Sequence, residues 1–180
     1  MSKAMTDLQN DHDAILMALD VFSKILDSLQ KENNPDPDEL LDFLDFLMEF
    51  ADKCHHGKEE GILFPAMIAA GVPDRGGPIG VMMAEHIQGR GYIHDMSEAL
   101  EVPEDYKKFD IAGRAYIALL REHIQKENSV LFPMADRVIS PEQLESIFHA
   151  FEEHEEKVIG SGRHEELHAM LEDLKARYPD

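Results

Sequence analysis

Two stretches of this chain, 68 positions apart, repeat one another: C-H-H-G-K-E-E-G-I-L-F-P over residues 54–65 and E-H-I-Q-K-E-N-S-V-L-F-P over residues 122–133. The register places His55 on His123, Lys58 on Lys126, Glu59 on Glu127 and Leu63-Phe64-Pro65 on Leu131-Phe132-Pro133. Each copy sets a histidine four residues before a glutamate, and residues four apart lie on one face of a helix, one turn above the other. The apolar tripeptide beside each pair draws both polar faces towards a core. The fold must therefore be one in which two helices turn a histidine and a carboxylate inward.

The rest of the chain is punctuated as helices. Thr6 and Gln9 form a capping-box pattern ahead of Leu8, Ile15, Leu16, Leu19, Phe22, Ile25, Leu26 and Leu29. This first helix is expected to end near Lys31, before Asn33-Asn34-Pro35. Asp36-Pro37 is a cap with proline at the first helical position. A helix from there carries Leu40, Leu41, Phe43, Leu44, Leu47, Met48 and Ala51 into Cys54-His55. Gly71 to Pro78 breaks the chain. A third helix is expected from about Ile79 to about Leu100, and a fourth from Pro103 or Glu104 to about Arg137. Pro65 and Pro133 are each expected to kink or end a helix. Ser140-Pro141-Glu142-Gln143 opens another helix, through His154, and Gly160-Ser161-Gly162 precedes a last one ending near Tyr178. No segment alternates as a strand would. The expected fold is all-α: an up-down-up-down four-helix bundle with one or two additional C-terminal helices. No linker marks a second domain, so residues 1–180 are read as one domain, with the bundle over about 5–137 and a helical extension over about 140–178.

Charge and length exclude several function classes. A net charge of −20 argues against nucleic-acid binding and against an anionic membrane surface. No apolar run approaches a membrane span of ~20 residues, and MSKAMTDLQNDHD lacks the apolar core of a signal peptide. The single cysteine, Cys54, forbids an internal disulfide, and the expected location is the cytoplasm.

Imidazole with carboxylate suits iron, manganese or zinc rather than calcium or magnesium. Helix heights, at a rise of ~1.5 Å per residue, test whether such groups meet. His12 and His55 come out level within roughly 2 Å, and His86 and Glu59 are also roughly level. His86 and His123 differ by roughly 7 Å, which is a loose match. The ligand set read from the sequence is His12, His55, Glu59, His86, His123 and Glu127. His12 and His55 would hold one metal and His86 and His123 the other, with Glu59 and Glu127 as bridges that set the metals roughly 3.5–4 Å apart. His56/Glu60 has the same spacing. The repeat favours His55/Glu59, because His56 falls on Ile124 and Glu60 on Asn128; His56 and Glu60 are the less favoured ligand candidates, read otherwise as supporting residues or exposed.

Read together, N-D-H-D (10–13), C-H-H-G-K-E-E-G-I-L-F-P (54–65), A-E-H-I-Q-G-R (84–90) and E-H-I-Q-K-E-N-S-V-L-F-P (122–133) resemble the hemerythrin-like family, the hemerythrin HHE cation-binding domains. The resemblance extends over most of the chain. It implies a four-helix bundle around a non-heme, carboxylate-bridged di-iron centre that handles dioxygen, nitric oxide or peroxide, or that stores or senses iron. The same ligands also accept zinc or manganese. Oxygen-carrying members have two histidines one turn apart on the third helix. Here the residue four after His86 is Arg90, whose guanidinium stays protonated and binds no metal. That departure argues against reversible oxygen carriage and leaves the second iron more open, or completed by water, a tyrosine or a neighbouring carboxylate. Tyr116, seven residues before His123, lies on the same face but is explained by packing.

Other residues read as structural. Glu85 is expected at the surface, His94 is off the His86 face, and His149 and His154 share no clean face. His164/His168 are four apart on a solvated terminal helix, and Cys54 is a small packed residue. The order E-x-x-H of ferritin-like di-iron proteins is absent. The function expected is a di-iron protein that binds or senses a small diatomic ligand or peroxide, or handles iron. The alternatives are an iron-dependent interaction module without turnover and a nitric-oxide or peroxide reductase. No donor-binding motif supports the last of these.

Overall fold

The computed structural model of the chain describes residues 1–30, 36–101, 103–160 and 162–179; Asn33-Asn34-Pro35 and the side chains of His164 and His168 lie outside the described residues. Every regular element among the described residues is helical. Helix α1 spans Lys3–Gln30 and starts a turn earlier than Thr6, because the Ser2 hydroxyl accepts the Met5 N–H at 3.3 Å. Asp36 caps α2 (Pro37–Phe46) by accepting the Asp38 N–H. The chain then continues through π-helical turns at Leu47–His56 and Glu59–Leu63 into α3 (Phe64–Ala69). Helix α4 spans Pro78–Ala99. Helix α5 (Tyr106–Lys126) starts later than Glu104, because Asp105 is its cap and accepts the Lys108 N–H. It runs on through a π-helical turn, Glu127–Leu131, into α6 (Phe132–Val138). A capping box at Ser140 and Gln143 opens α7 (Pro141–Val158), and α8 (Arg163–Arg177) follows the left-handed Gly162.

These elements form four long rods: α1; α2 through α3; α4; and α5 through α6. Contacts between rods climb one while they descend the other. Asp7 meets Lys58 and Phe22 meets Phe43; Asp52 meets Arg90 and Glu60 meets His86; Glu85 meets Lys126 and Glu98 meets Lys108; Asp20 meets Arg121 and Asp27 meets Arg114. Close approach of α1 and α5 requires Gly113: a Cβ there would stand 2.9 Å from the Phe22 ring and 3.0 Å from Leu26. Overpacking of that kind typically costs about 1–3 kcal/mol.

Two apolar clusters flank a buried polar layer. One gathers Leu19, Phe22, Phe43, Phe46, Phe50, Ile93 and Phe109, and α8 covers it with Leu167, Leu171 and Leu174. The other gathers Met5, Leu8, Leu63, Phe64, Met82, Leu131 and Phe132, and α7 covers it with Ile147 and Phe151. Helix α7 also lies close over the second rod, where His154 Nε2 donates to the Lys53 carbonyl at 3.1 Å. Gly57 makes room for that ring, since a Cβ would stand 2.6 Å from it. Among the described residues, no helix is long and apolar enough to cross a membrane.

Candidate metal centre

The repeated Leu-Phe-Pro is explained first by the backbone. Proline has no N–H, and inside a helix its ring crowds the carbonyl four residues back. In both copies the turn just before the proline is widened: the Phe64 N–H bonds to the Glu59 carbonyl and the Phe132 N–H to the Glu127 carbonyl. Each π-helical turn therefore begins at the glutamate of the repeat, a placement that matches the association of π turns with functional sites. Neither proline ends its rod; both are exposed, in the first turns of α3 and α6. The phenylalanines wall the polar layer. Phe132 stacks on His12 at 5.2 Å, and Phe64 stacks on His86 at 5.9 Å.

All six residues singled out as ligands meet in that layer, and a seventh joins them. Two sets of ligand atoms lie within 4.8 Å of one another: His12, His55, Glu59 and Glu127, and His56, Glu59, His86 and His123. Glu59 belongs to both. Glu127 also faces both, with Oε2 at 3.2 Å from His12 Nε2 and 3.2 Å from His123 Nε2. His86 Nε2 stands 3.4 Å from Glu59 Oε2. His12, Glu59 and Glu127 are 0 % exposed, and the other histidines are at most 3 % exposed.

Three expectations need correction. His56 is neither exposed nor peripheral: its ring stacks on His86 at 3.9 Å and meets His123 edge-on at 5.6 Å. The turn Leu47–His56 is π-helical, and i→i+5 bonding gives fewer degrees per residue than an α-helix, so both His55 and His56 face inward. Glu60 stays outside the sets, with Oε1 accepting from His86 Nδ1 at 2.7 Å. Glu85 is no surface residue either; it accepts from His123 Nδ1 at 3.0 Å and from Lys126. The height gap between His86 and His123 is closed by side-chain direction. Side chains tilt towards their own helix N-terminus, so on rods running opposite ways these two rings lean together, to an Nε2–Nε2 distance of 3.1 Å.

Around the inward face lies an outer layer of acceptors. His12 Nδ1 bonds Asn128 at 2.9 Å, His55 Nδ1 bonds Asp11 at 3.1 Å, and His56 Nδ1 bonds Asp52 at 3.3 Å. With Glu60 on His86 and Glu85 on His123, every one of the five Nδ1 atoms faces an oxygen. An acceptor there places the proton on Nδ1 and aims the Nε2 lone pair inward, which is the usual support of a metal-binding imidazole. Cations back the carboxylates: Lys58 on Asp11, Arg90 on Asp52 and Glu60, and Lys126 on Glu85.

Most of the inward atoms are left without a hydrogen bond. Nε2 of His12, His55 and His56 and both oxygens of Glu59 and of Glu127 are buried with no hydrogen bond. His12 and His123 approach Glu127 closely, but the alignment is not that of a hydrogen bond to it. Burying such groups is costly unless a cation neutralises them. Ligands about 2.0–2.2 Å from a shared metal and at right angles to each other stand roughly 3 Å apart, close to the 3.1–3.4 Å spacings found here. The residues thus fit a bound cation. Burial and neighbouring charge pull these imidazoles in opposite directions. Burial pushes His55 down to about 3 and His56 well below its ordinary value. Burial also opposes charge on His86, but Glu59 and Glu60 outweigh it and raise that ring to about 9.

Residues outside the layer are structural. Burial pushes the Cys54 thiol up to about 12, which leaves it unreactive. The Tyr116 hydroxyl is buried without a hydrogen-bond partner, beside Gly89. His94 and His149 pair with surface glutamates.

Compared with known proteins, residues 4–135 match the family model described as Hemerythrin HHE cation binding domain. No curated protein and no solved structure matches the chain.

Proposed function

Since the chain belongs to the hemerythrin HHE cation-binding family, we propose that it holds two iron ions across Glu59 and Glu127 and presents them to a small ligand: dioxygen, nitric oxide or peroxide. The observation that carries this reading is the set of inward, buried and unpartnered atoms on Glu59, Glu127, His12, His55 and His56, closed by the Nε2–Nε2 approach of His86 and His123. Two imidazoles that give both Nδ1 protons outward can meet in this way only around an added proton or a cation.

The chain's own residues divide the work. Glu59 and Glu127 supply negative charge shared between the two sets. The outer layer fixes each ring. Phe64 and Phe132 keep the layer dry on one side. Iron bound there supplies a redox-active Lewis acid. His56 gives its set a third imidazole, so the His12/His55 set is the poorer in donors and the more open to a ligand. This reverses the expectation drawn from Arg90. Support for an up-down-up-down bundle comes from the descending register of contacts between the rods. We also take residues 1–180 as one domain, with α7 and α8 as its extension.

Metal analysis of anaerobically purified protein is expected to give about two irons per chain, with an optical band that responds to azide or nitric oxide. Binding also carries a pH signature. A ligand imidazole must be neutral, whereas His86 remains charged in the metal-free protein up to about pH 9. Iron affinity is therefore expected to rise with pH towards 9 and then level off, by up to about tenfold per pH unit for each proton expelled. Proton release on titration at pH 7.5, followed in weak buffer, checks it. Substoichiometric metal, or binding without proton release, would contradict the proposal.

A further inference from the structure

We propose that Arg90 is the positioning residue of the His56–His86–His123 set, and that it determines whether this set, and not the other, holds its metal. The inference rests on the dinuclear reading above. Arg90 lies one turn after His86 on α4. Its Nε donates to Asp52 Oδ1 at 2.8 Å and its Nη2 to Glu60 Oε1 at 2.8 Å. Those same two oxygens accept from His56 Nδ1 and from His86 Nδ1. One guanidinium thus closes two chains of bonds, each ending on a buried imidazole whose Nε2 points into the layer.

The arrangement needs a fork. Asp52 and Glu60 stand eight residues apart on the second rod, either side of His56 in sequence. Both are partly open to water, with side chains 22 % and 24 % exposed. Without a cation between them, each would be free to turn outward and release its histidine. A guanidinium presents rigid, divergent donors and spans both, whereas an ammonium is a compact point charge. The pair is more than an ordinary surface ion pair, whose contribution is small, because its acceptors are also the acceptors of the imidazoles. The other set has separate supports: Asp11 and Lys58 behind His55, and Asn128 behind His12. Arg90 bonds to none of these. Its effect should therefore fall on one metal of the two.

The test is a stepwise cobalt(II) titration of the full chain, read by visible absorption and by competition with a chelator. Wild type is expected to take two equivalents. Arg90→Met keeps the aliphatic stem and is expected to weaken one equivalent by about 10–100-fold, the usual cost of losing an outer partner, with the other unchanged. Arg90→Lys should recover part of the loss. Glu60→Gln leaves Arg90 in place and is expected to weaken the same equivalent, which keeps the test available if Arg90→Met does not fold. Two equivalents as tight as in wild type, or both weakened alike, would overturn the role of Arg90. A wild-type chain that takes up no cobalt would instead contradict the dinuclear reading beneath it.

Discussion

Glu59→Gln is expected to empty both metal positions at once. Glu59 belongs to both ligand sets, is 0 % exposed, and has no hydrogen bond on either oxygen. Glutamine fits the same space but brings no charge, and one of its two termini is a donor, which repels a cation. The loss should exceed the roughly 10–100-fold typical of an outer-layer substitution. His12→Ala, by contrast, removes a ligand from one set alone. Stability should respond differently in the two states. The metal-free variant no longer buries this carboxylate but also loses the charge that faces His86 Nε2 at 3.4 Å, so the two effects offset and its stability should stay close to that of metal-free wild type. With metal at about 1,000 times its dissociation constant, wild type gains about 4 kcal/mol that the variant does not. For a chain of this size that is about 8–16 °C in melting temperature. Metal content and paired melting curves check it. Two metals retained in Glu59→Gln would remove the bridge from the account.

The second large effect is expected at Lys58. This lysine is 0 % exposed and donates to Asp7 at 3.0 Å, Asp11 at 3.2 Å and Glu155 at 3.0 Å. Burial opposes its charge, yet Asp11 and Asp7 keep its pKa raised. Lys58→Met leaves three acids facing one another. Asp7 and Glu155 have partial access to water, but Asp11 is only 7 % exposed and also holds His55. Breaking a buried ion pair in this way costs about 3–5 kcal/mol, or about 6–20 °C in melting temperature for this length. Helix α7 should loosen as well, because Glu155 is one of its ties to the second rod. Urea unfolding of the metal-free protein gives the number directly, and a loss below about 1 kcal/mol would show that Lys58 does not organise this corner.

Much of this was legible in the residue order. The 68-residue repeat marked His55, Glu59, His123 and Glu127, and helix heights brought His12 level with His55 and His86 level with Glu59. The caps at Asp36 and Ser140 are where their side chains suggested. His56 was set aside because the repeat aligns it with Ile124, whereas the π-helical turn brings both histidines inside. The Leu-Phe-Pro of the repeat signals only the later π-helical turns at Glu59–Leu63 and Glu127–Leu131, because its proline cannot complete an α-helical ladder. The outer layer was hidden for another reason. Asp11, Asp52, Glu60 and Glu85 are acids among many in a chain of charge −20, and only the three-dimensional fold shows which four face an imidazole.

The central claim is that two metals share one buried layer. The most direct measurement is a crystallographic anomalous-difference map recorded at the iron edge. The account predicts two peaks roughly 3.5–4 Å apart, enclosed by His12, His55, His56, His86, His123, Glu59 and Glu127. A layer without a peak, or metal found only among the surface acids near Glu152 and Glu156, would contradict it.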